Sequence, residues 1–237
     1  MNCSDQKKSF VIRQGRLKPT QRSIIEQSVE LDCVIQYDAK SLDCINTNRA
    51  LIVEIGFGVG GAFCQMAKDN EAFEFLGIEV YPKGFASCAI RIDQEALRNA
   101  HVIRHDAVEV VENCIQPASV DQFNIYQPDP WPKKRHHKRR LLQKDFLKLL
   151  LSRLKRMGRI HITTDHQEYA QSIQEQLDLC GDDLSYDRIQ QRPHFRPVTK
   201  YETIGQKQGH THSEFMVHNC LDAVVSSRIS QEWPERE

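Results

Sequence analysis

The chain has 237 residues, 27% of them charged and 40% apolar, with 32 basic and 32 acidic side chains. That length supports one large α/β core with decorated ends and not two full domains, and that composition excludes a disordered or membrane-spanning chain. A formal net charge of zero excludes whole-molecule attraction to a polyanion, so affinity for nucleic acid has to come from a local patch.

At the start of the chain, Lys7, Lys8, Arg13, Arg16, Lys18 and Arg22 face a single acid, Asp5. The segment has no apolar stretch or small-residue cleavage site of a secretory signal, so the cytoplasm is the expected compartment. Residues 1–22 read either as a frayed terminus or as a basic arm that touches nucleic acid, and residues 23–237 as the main domain. Residues 23–50 look helical around Ile24 to Val34 and loop-like beyond. The eight cysteines are scattered without a C-x-x-C, which predicts reduced, packed thiols and neither disulfides nor zinc.

From Leu51 onward short apolar runs alternate with helix-length segments. Leu51–Ile55, Phe73–Val80, His101–Arg104, Phe123–Tyr126 and Arg159–Thr164 read as strands. Gly61–Asp69, Pro82–Asn99, Val108–Cys114, Lys144–Met157 and Gln167–Leu179 read as helices between or after them. Such alternation predicts a mostly parallel sheet with helices on both faces, and ligands then bind beyond the carboxyl ends of the strands.

Glu54-Ile55-Gly56-Phe57-Gly58-Val59-Gly60-Gly61 follows the first of these strands and opens a helix. Glycines let the backbone turn tightly and approach a ligand. A dinucleotide loop is the main rival, but the spacing is G-x-G-x-G-G, and Glu54 is an acid where a pyrophosphate would be repelled. Glu79 ends the second strand, nineteen residues beyond Gly60, where an acid can accept from ribose hydroxyls. Asp106 follows the third strand and can cap a helix, bind an adenine amino group, or both. Three acids at successive strand ends suit an adenosyl ligand with a cationic end.

The fourth strand runs into Gln127-Pro128-Asp129-Pro130-Trp131-Pro132, whose prolines hold Asp129 and Trp131 on a rigid loop. Lys133-Lys134-Arg135-His136-His137-Lys138-Arg139-Arg140 follows without an acid, and beside that loop it reads as a phosphate-binding patch. His136 and His137 lack metal spacing and are expected to meet solvent or RNA. Asp165 ends the fifth strand and reads either as a helix cap or as a contact to a purine edge. Arg196-Pro197-Val198-Thr199-Lys200-Tyr201-Glu202 reads as a short extended segment, either a surface loop or a place where a base stacks on Tyr201. His210 and His212 are expected to be structural.

Together these segments, with Ser9-Phe10-Val11-Ile12-Arg13-Gln14-Gly15-Arg16-Leu17, resemble the bacterial tRNA (guanine-N7-)-methyltransferase family over nearly the whole chain. The P-D-P-W-basic and R-P-x-T-K-[FY]-E pieces carry most of that resemblance. It implies a single Rossmann-like class I methyltransferase domain with an antiparallel C-terminal strand, S-adenosylmethionine as cofactor, and tRNA as partner, acting as a monomer or homodimer. Position for position, it implies that Glu54, Gly56, Gly58, Glu79, Asp106 and Asp129 hold the cofactor, with Asp129 also catalytic. Lys133, Asp165, Thr199, Lys200, Tyr201 and Glu202 would bind the substrate base, Arg135, His136, His137, Lys138, Arg139 and Arg140 would touch RNA, and the acceptor would be guanosine 46 of the variable loop. Two stretches depart from the family pattern: Tyr126-Gln127, and residues 209–215, which lack the family's Trp-Asp pair. A methyltransferase of another RNA and a non-catalytic RNA-binding module on the same fold are the alternatives.

Overall fold

The structure is a computed structural model that describes residues 9–10, 16–26, 30–38, 42, 45, 48–207, 209 and 211–220. Eight strands form one sheet. In chain order they are β1 (Val34–Ile35), β2 (Ala50–Ile55), β3 (Phe73–Ile78), β4 (Ala100–Ile103), β5 (Val120–Tyr126), β6 (Leu154–Thr164), β7 (Leu184–Arg188) and β8 (Ser213–Asn219). The helices are α1 (Pro19–Ile25), α2 (Gly61–Asp69), α3 (Pro82–Gln94), α4 (Ala107–Asn113), α5 (Lys144–Arg153), α6 (Gln167–Asp178) and α7 (Lys200–Lys207).

The strand order is β1-β4-β3-β2-β5-β6-β8-β7. All pairs from β1 through β6 are parallel, and β8 pairs antiparallel with both β6 and β7. Neighbouring residues on a strand face opposite sides, so Val53 and Ile55 join Phe123, Ile125 and Ile160 in a core under α4, α5 and α6, while Ile52, Phe75 and Val102 join a second core under α2 and α3. Burial on both sides is why these strands read as unbroken apolar runs. Cys33, Cys64, Cys88, Cys114 and Cys180 are buried free thiols.

Four expectations need correction. The helix expected over Ile24 to Val34 ends at Ile25, and Val34 already belongs to β1. Helix α3 stops at Gln94 and not Asn99, because Ala96 turns left-handed (φ 51°) and the Leu97 N–H closes onto the Ile92 carbonyl, a Schellman end. Helix α5 stops at Arg153 and not Met157. Leu154 is buried whether it ends a helix or starts a strand, so the apolar period runs straight through the junction. The segment expected to be extended through Glu202 turns into α7 at Lys200.

Helix α1 crosses the boundary proposed at residue 22 and docks on α3, where Gln21 Nε2 donates to Ser87 Oγ at 2.8 Å. No helix among the described residues is long and apolar enough to cross a membrane.

Candidate active site

A cavity of about 340 Å³ opens beyond the carboxyl ends of β2, β3 and β5, where the strand order reverses. Its position and size suit a nucleoside-sized ligand. Gly56 and Gly58 line it from the loop after β2, Glu79 to Tyr81 from the end of β3, His105 and Ala107 from the end of β4, and Tyr126 to Pro130 from the end of β5. Asp165, Ile204, Gly205, Ser9 and Phe10 also face it.

The glycine loop passes through left-handed φ at Gly56 (78°), Gly58 (62°) and Gly60 (76°), a path that other residues rarely follow. It is locked to the adjacent carboxylate: Glu79 Oε2 accepts from Gly58 N at 2.8 Å, and Oε1 accepts from Val80 N at 2.8 Å and Tyr81 N at 2.9 Å. Burial raises the Glu79 pKa, and these N–H groups oppose the rise.

Glu54 sits in β2 and is not part of the cavity lining. Burial, reinforced by Glu79 and only partly opposed by Arg196, pushes its carboxyl up to about 8. Its Oε2 has no hydrogen-bond partner, and a buried acceptor left open is costly. At the cavity itself, the bare glycine backbone and the Glu79 carboxylate fit a ligand that carries ribose hydroxyls, and the open Glu54 oxygen leaves room for one further polar partner. Asp106 also lies outside the lining; its Oδ1 caps α4 by accepting from Val108 N at 2.8 Å.

The Pro-Asp-Pro-Trp loop is bracketed by two non-glycine residues at positive φ, Gln127 (52°) and Trp131 (46°). Both side chains are anchored. Trp131 Nε1 donates to the Ser9 carbonyl at 2.9 Å. Gln127 Oε1 accepts from Asp165 N at 2.9 Å, and its Nε2 lies 3.3 Å from His212 Nδ1. Asp129 is exposed at the cavity and accepts from the Tyr81 hydroxyl at 3.3 Å. The following 3-10 helix, Lys134–Arg139, leaves Lys134, Arg135 and Lys138 exposed, as is Lys133 before it.

Arg140, expected at the RNA surface, is instead only 4% exposed. Its Nε donates to the Pro130 carbonyl at 2.9 Å, its Nη2 to Glu168 Oε1 at 3.2 Å, and its guanidinium lies over the Tyr169 ring. It braces the loop from below. Arg139 and His136 pack against Trp131.

Behind the cavity lies a buried polar layer centred on Arg196. Its guanidinium donates to Glu202 (Nη1 to Oε2, 2.6 Å; Nη2 to Oε1, 3.2 Å) and to Glu214 (Nε to Oε1, 3.0 Å; Nη2 to Oε2, 3.1 Å). Glu214 also meets His161 Nε2 at 2.6 Å, and His161 Nδ1 meets the Tyr126 hydroxyl at 3.0 Å, so the layer ends on the cavity wall. Burial alone would raise both carboxyls; hydrogen bonds and charge from Arg196, and for Glu214 also His161, hold them below the ordinary range. Burial keeps the His161 pKa low.

A family model described as putative methyltransferase matches residues 48–215. A tRNA (guanine-N(7)-)-methyltransferase of Neisseria meningitidis serogroup B is 41% identical over 213 residues, covering 86% of this chain and 87% of that one. Its counterpart in Bordetella parapertussis is 42% identical over 209 residues, covering 86% and 81%. The chain belongs to the tRNA (guanine-N7-)-methyltransferase family. At the level of fold alone, it is similar to a precorrin-6y C5,15-methyltransferase from Geobacter metallireducens (13% identity, TM-score 0.50, 71% of this chain and 78% of that one). It is equally similar to a putative S-adenosylmethionine-dependent methyltransferase from Methanococcus maripaludis (14%, 0.50, 73% and 78%). The domain is a class I methyltransferase.

Of the residues expected at the site of this tRNA (guanine-N7-)-methyltransferase family member, Gly56, Gly58, Glu79, Asp129 and Asp165 meet at one cavity. Thr199 and Glu202 instead cap α7 reciprocally: Glu202 N donates to Thr199 Oγ1 at 3.1 Å and Thr199 N to Glu202 Oε2 at 3.4 Å. That is a capping box, and T-x-x-E was its signal in the sequence. The side chains of Lys200 and Tyr201, and with them the expected base stacking, lie outside the described residues, as does His210. His212 belongs to the buried layer, 3.8 Å from both Glu202 and Glu214. The two stretches that depart from the family pattern therefore touch each other, through Gln127 and His212. Sequence reasoning missed Tyr81, His105 and Gly205 as lining residues and Arg196 as the centre of the layer. Among the described residues no group of three or more His, Cys, Asp or Glu side chains is placed to hold a metal.

The state of Glu54 gives a pH prediction. Its carboxyl is raised from an ordinary 4.5 to about 8, so the folded chain holds that proton more tightly. The associated stability is complete below about pH 4.5 and is lost as pH rises through about 8. Glu54→Gln keeps the shape and removes the charge. Without added cofactor, its melting temperature should gain on wild type between about pH 5 and pH 9, by the equivalent of roughly 3–5 kcal/mol. A difference that does not change with pH would contradict the buried-acid account.

Proposed function

We propose that this enzyme transfers the methyl group of S-adenosylmethionine to N7 of a guanosine in tRNA, with position 46 of the variable loop as the acceptor that family membership implies. The observation that carries the reading is the meeting of the glycine loop and Glu79 with two further carboxylates, Asp129 and Asp165, at one cavity, beside the exposed cations Lys133, Lys134, Arg135 and Lys138.

S-adenosylmethionine, when bound, supplies a methyl group activated by the sulfonium charge. The bare backbone at Gly56 and Gly58 lets it approach, and Glu79 accepts from its ribose hydroxyls. Glu54, with its carboxyl raised to about 8, holds its proton near neutrality and would offer its open oxygen for hydrogen bonding and not as a charge, and the loop carrying Asp106 would lie toward adenine. Guanine N7 has an in-plane lone pair and no proton to lose, so the reaction needs alignment more than a strong base. The purine becomes cationic as the methyl arrives, and Asp129, already fixed by its rigid loop and by Tyr81, stabilises that charge. Asp165 accepts from the donors on the Watson–Crick edge of guanine, while the exposed cations hold phosphates and set the register of the RNA.

A tRNA transcript made with 7-deazaguanosine tests this chemistry, because it offers no N7. It should bind as the ordinary transcript does and accept no methyl; incorporation at the normal rate would move the attack away from N7. Binding of either transcript should weaken steeply with salt. Arg135→Ala with Lys138→Ala should flatten the slope of log K against log salt by roughly 1.4–1.8, and an unchanged slope would take the run off the phosphates.

A further inference from the structure

Gly205 stands inside α7, where its backbone φ is not left-handed and glycine is a poor helix former. No local turn explains it. A Cβ built at this position would stand 2.5 Å from Asp165 Oδ2, 3.4 Å from Asp165 Cγ and 3.5 Å from Asp165 Cβ, and these are its three nearest neighbours. The missing side chain therefore makes room for one carboxylate, and that carboxylate faces the cavity.

Both partners are held from behind. Helix α7 is anchored in its first turn by the buried Glu202–Arg196 pair. Asp165 is held through its backbone N–H, which donates to Gln127 Oε1 at 2.9 Å. The helix that follows Asp165 is capped by the His166 side chain, which accepts from Tyr169 N at 3.3 Å, so Asp165 is not required as a cap.

We infer that Gly205 is a specificity-determining position: it lets α7 close on Asp165 and so fixes where that carboxylate meets the edge of the substrate purine. The inference rests on the methyl-transfer reading above. Two carboxylate oxygens side by side match the N1–H and N2 amino donors of guanine, and a site built to receive donors discriminates strongly against a base that lacks them. A methyl group at position 205 displaces a short, movable side chain, so the fold absorbs it cheaply. Recognition does not.

The test is Gly205→Ala in the full chain, with Asp165→Ala and the double variant, on tRNA transcripts carrying guanosine or inosine at the acceptor position; inosine lacks the N2 amino group. Wild type should prefer guanosine about tenfold or more in kcat/KM. Gly205→Ala should lower kcat/KM for the guanosine transcript about tenfold and reduce that preference, with S-adenosylmethionine affinity and melting temperature held. On the Asp165→Ala background it should add nothing. Should Gly205→Ala melt lower than wild type, the double variant regains the loss, because removing the carboxylate restores the room. An unchanged preference in Gly205→Ala, or an equal further loss on the Asp165→Ala background, would overturn the inference. Wild-type protein that methylates no guanosine would instead overturn the reading beneath it.

Discussion

Replacing Arg196 with Ala should lower the free energy of unfolding by about 3–5 kcal/mol, because it leaves buried carboxylates without their cation. Arg196 has none of its side chain exposed, and Glu202 and Glu214 only 4% each. Its planar fork serves two acids at once, a geometry that an ammonium group cannot copy, so Arg196→Lys should recover little of the loss. For a chain of this size the melting temperature should fall by about 10 °C, and a fall of under about 2 °C would refute the assignment. The pH dependence has a definite sign. Both acids are held below the ordinary carboxylate range, so their stabilisation is present above that range and is lost as pH falls through their lowered values. Arg196→Ala should therefore cost most near neutrality and progressively less in acid.

The loss should also reach the chemistry. Through Glu214 and His161 the layer holds the Tyr126 hydroxyl on the cavity wall, and through Glu202 it holds the start of α7. Well below its melting point, the variant should still bind tRNA through phosphates and still turn over slowly.

Asp129→Ala should lower kcat by about a hundredfold, the lower end of what a preorganised charge at a reacting centre contributes. The affinity for S-adenosylmethionine should fall only a few-fold. The lower end applies because Asp129 is exposed before RNA arrives, and water screens it until the substrate covers the cavity. Asp129→Asn should lose nearly as much, since it keeps the loop and the shape and removes only the charge. Equal losses in turnover and in cofactor affinity would make Asp129 a binding residue alone.

Much of this architecture was legible because it is periodic or punctuated by special residues. Runs such as Leu51 to Ile55 are apolar on both faces because both faces are covered. The glycines at 56, 58 and 60 are where the chain turns left-handed. Acids at strand ends pointed to one edge of the sheet, and Glu79, Asp129 and Asp165 do share a cavity there. Glu54 lies one residue inside its strand, and its side chain is buried away from that edge.

What was hidden depends on tertiary contacts. Ala96 ends α3 in a left-handed turn without the glycine that would announce it. Leu154 is buried in a way that suits helix and strand equally, so the end of α5 left no mark on the apolar period. Arg196 and Glu202 read as part of a surface loop or base-binding segment and Glu214 as part of a divergent stretch, because their pairing joins positions up to eighteen residues apart. Gly205 shows its purpose only against Asp165, which lies on another element.

The most direct test of the central claim is the product. Purified protein incubated with labelled S-adenosylmethionine and unmodified bulk tRNA, followed by digestion to nucleosides, should place the label in 7-methylguanosine. Label in a different nucleoside, or none at all while S-adenosylmethionine still binds, would contradict it.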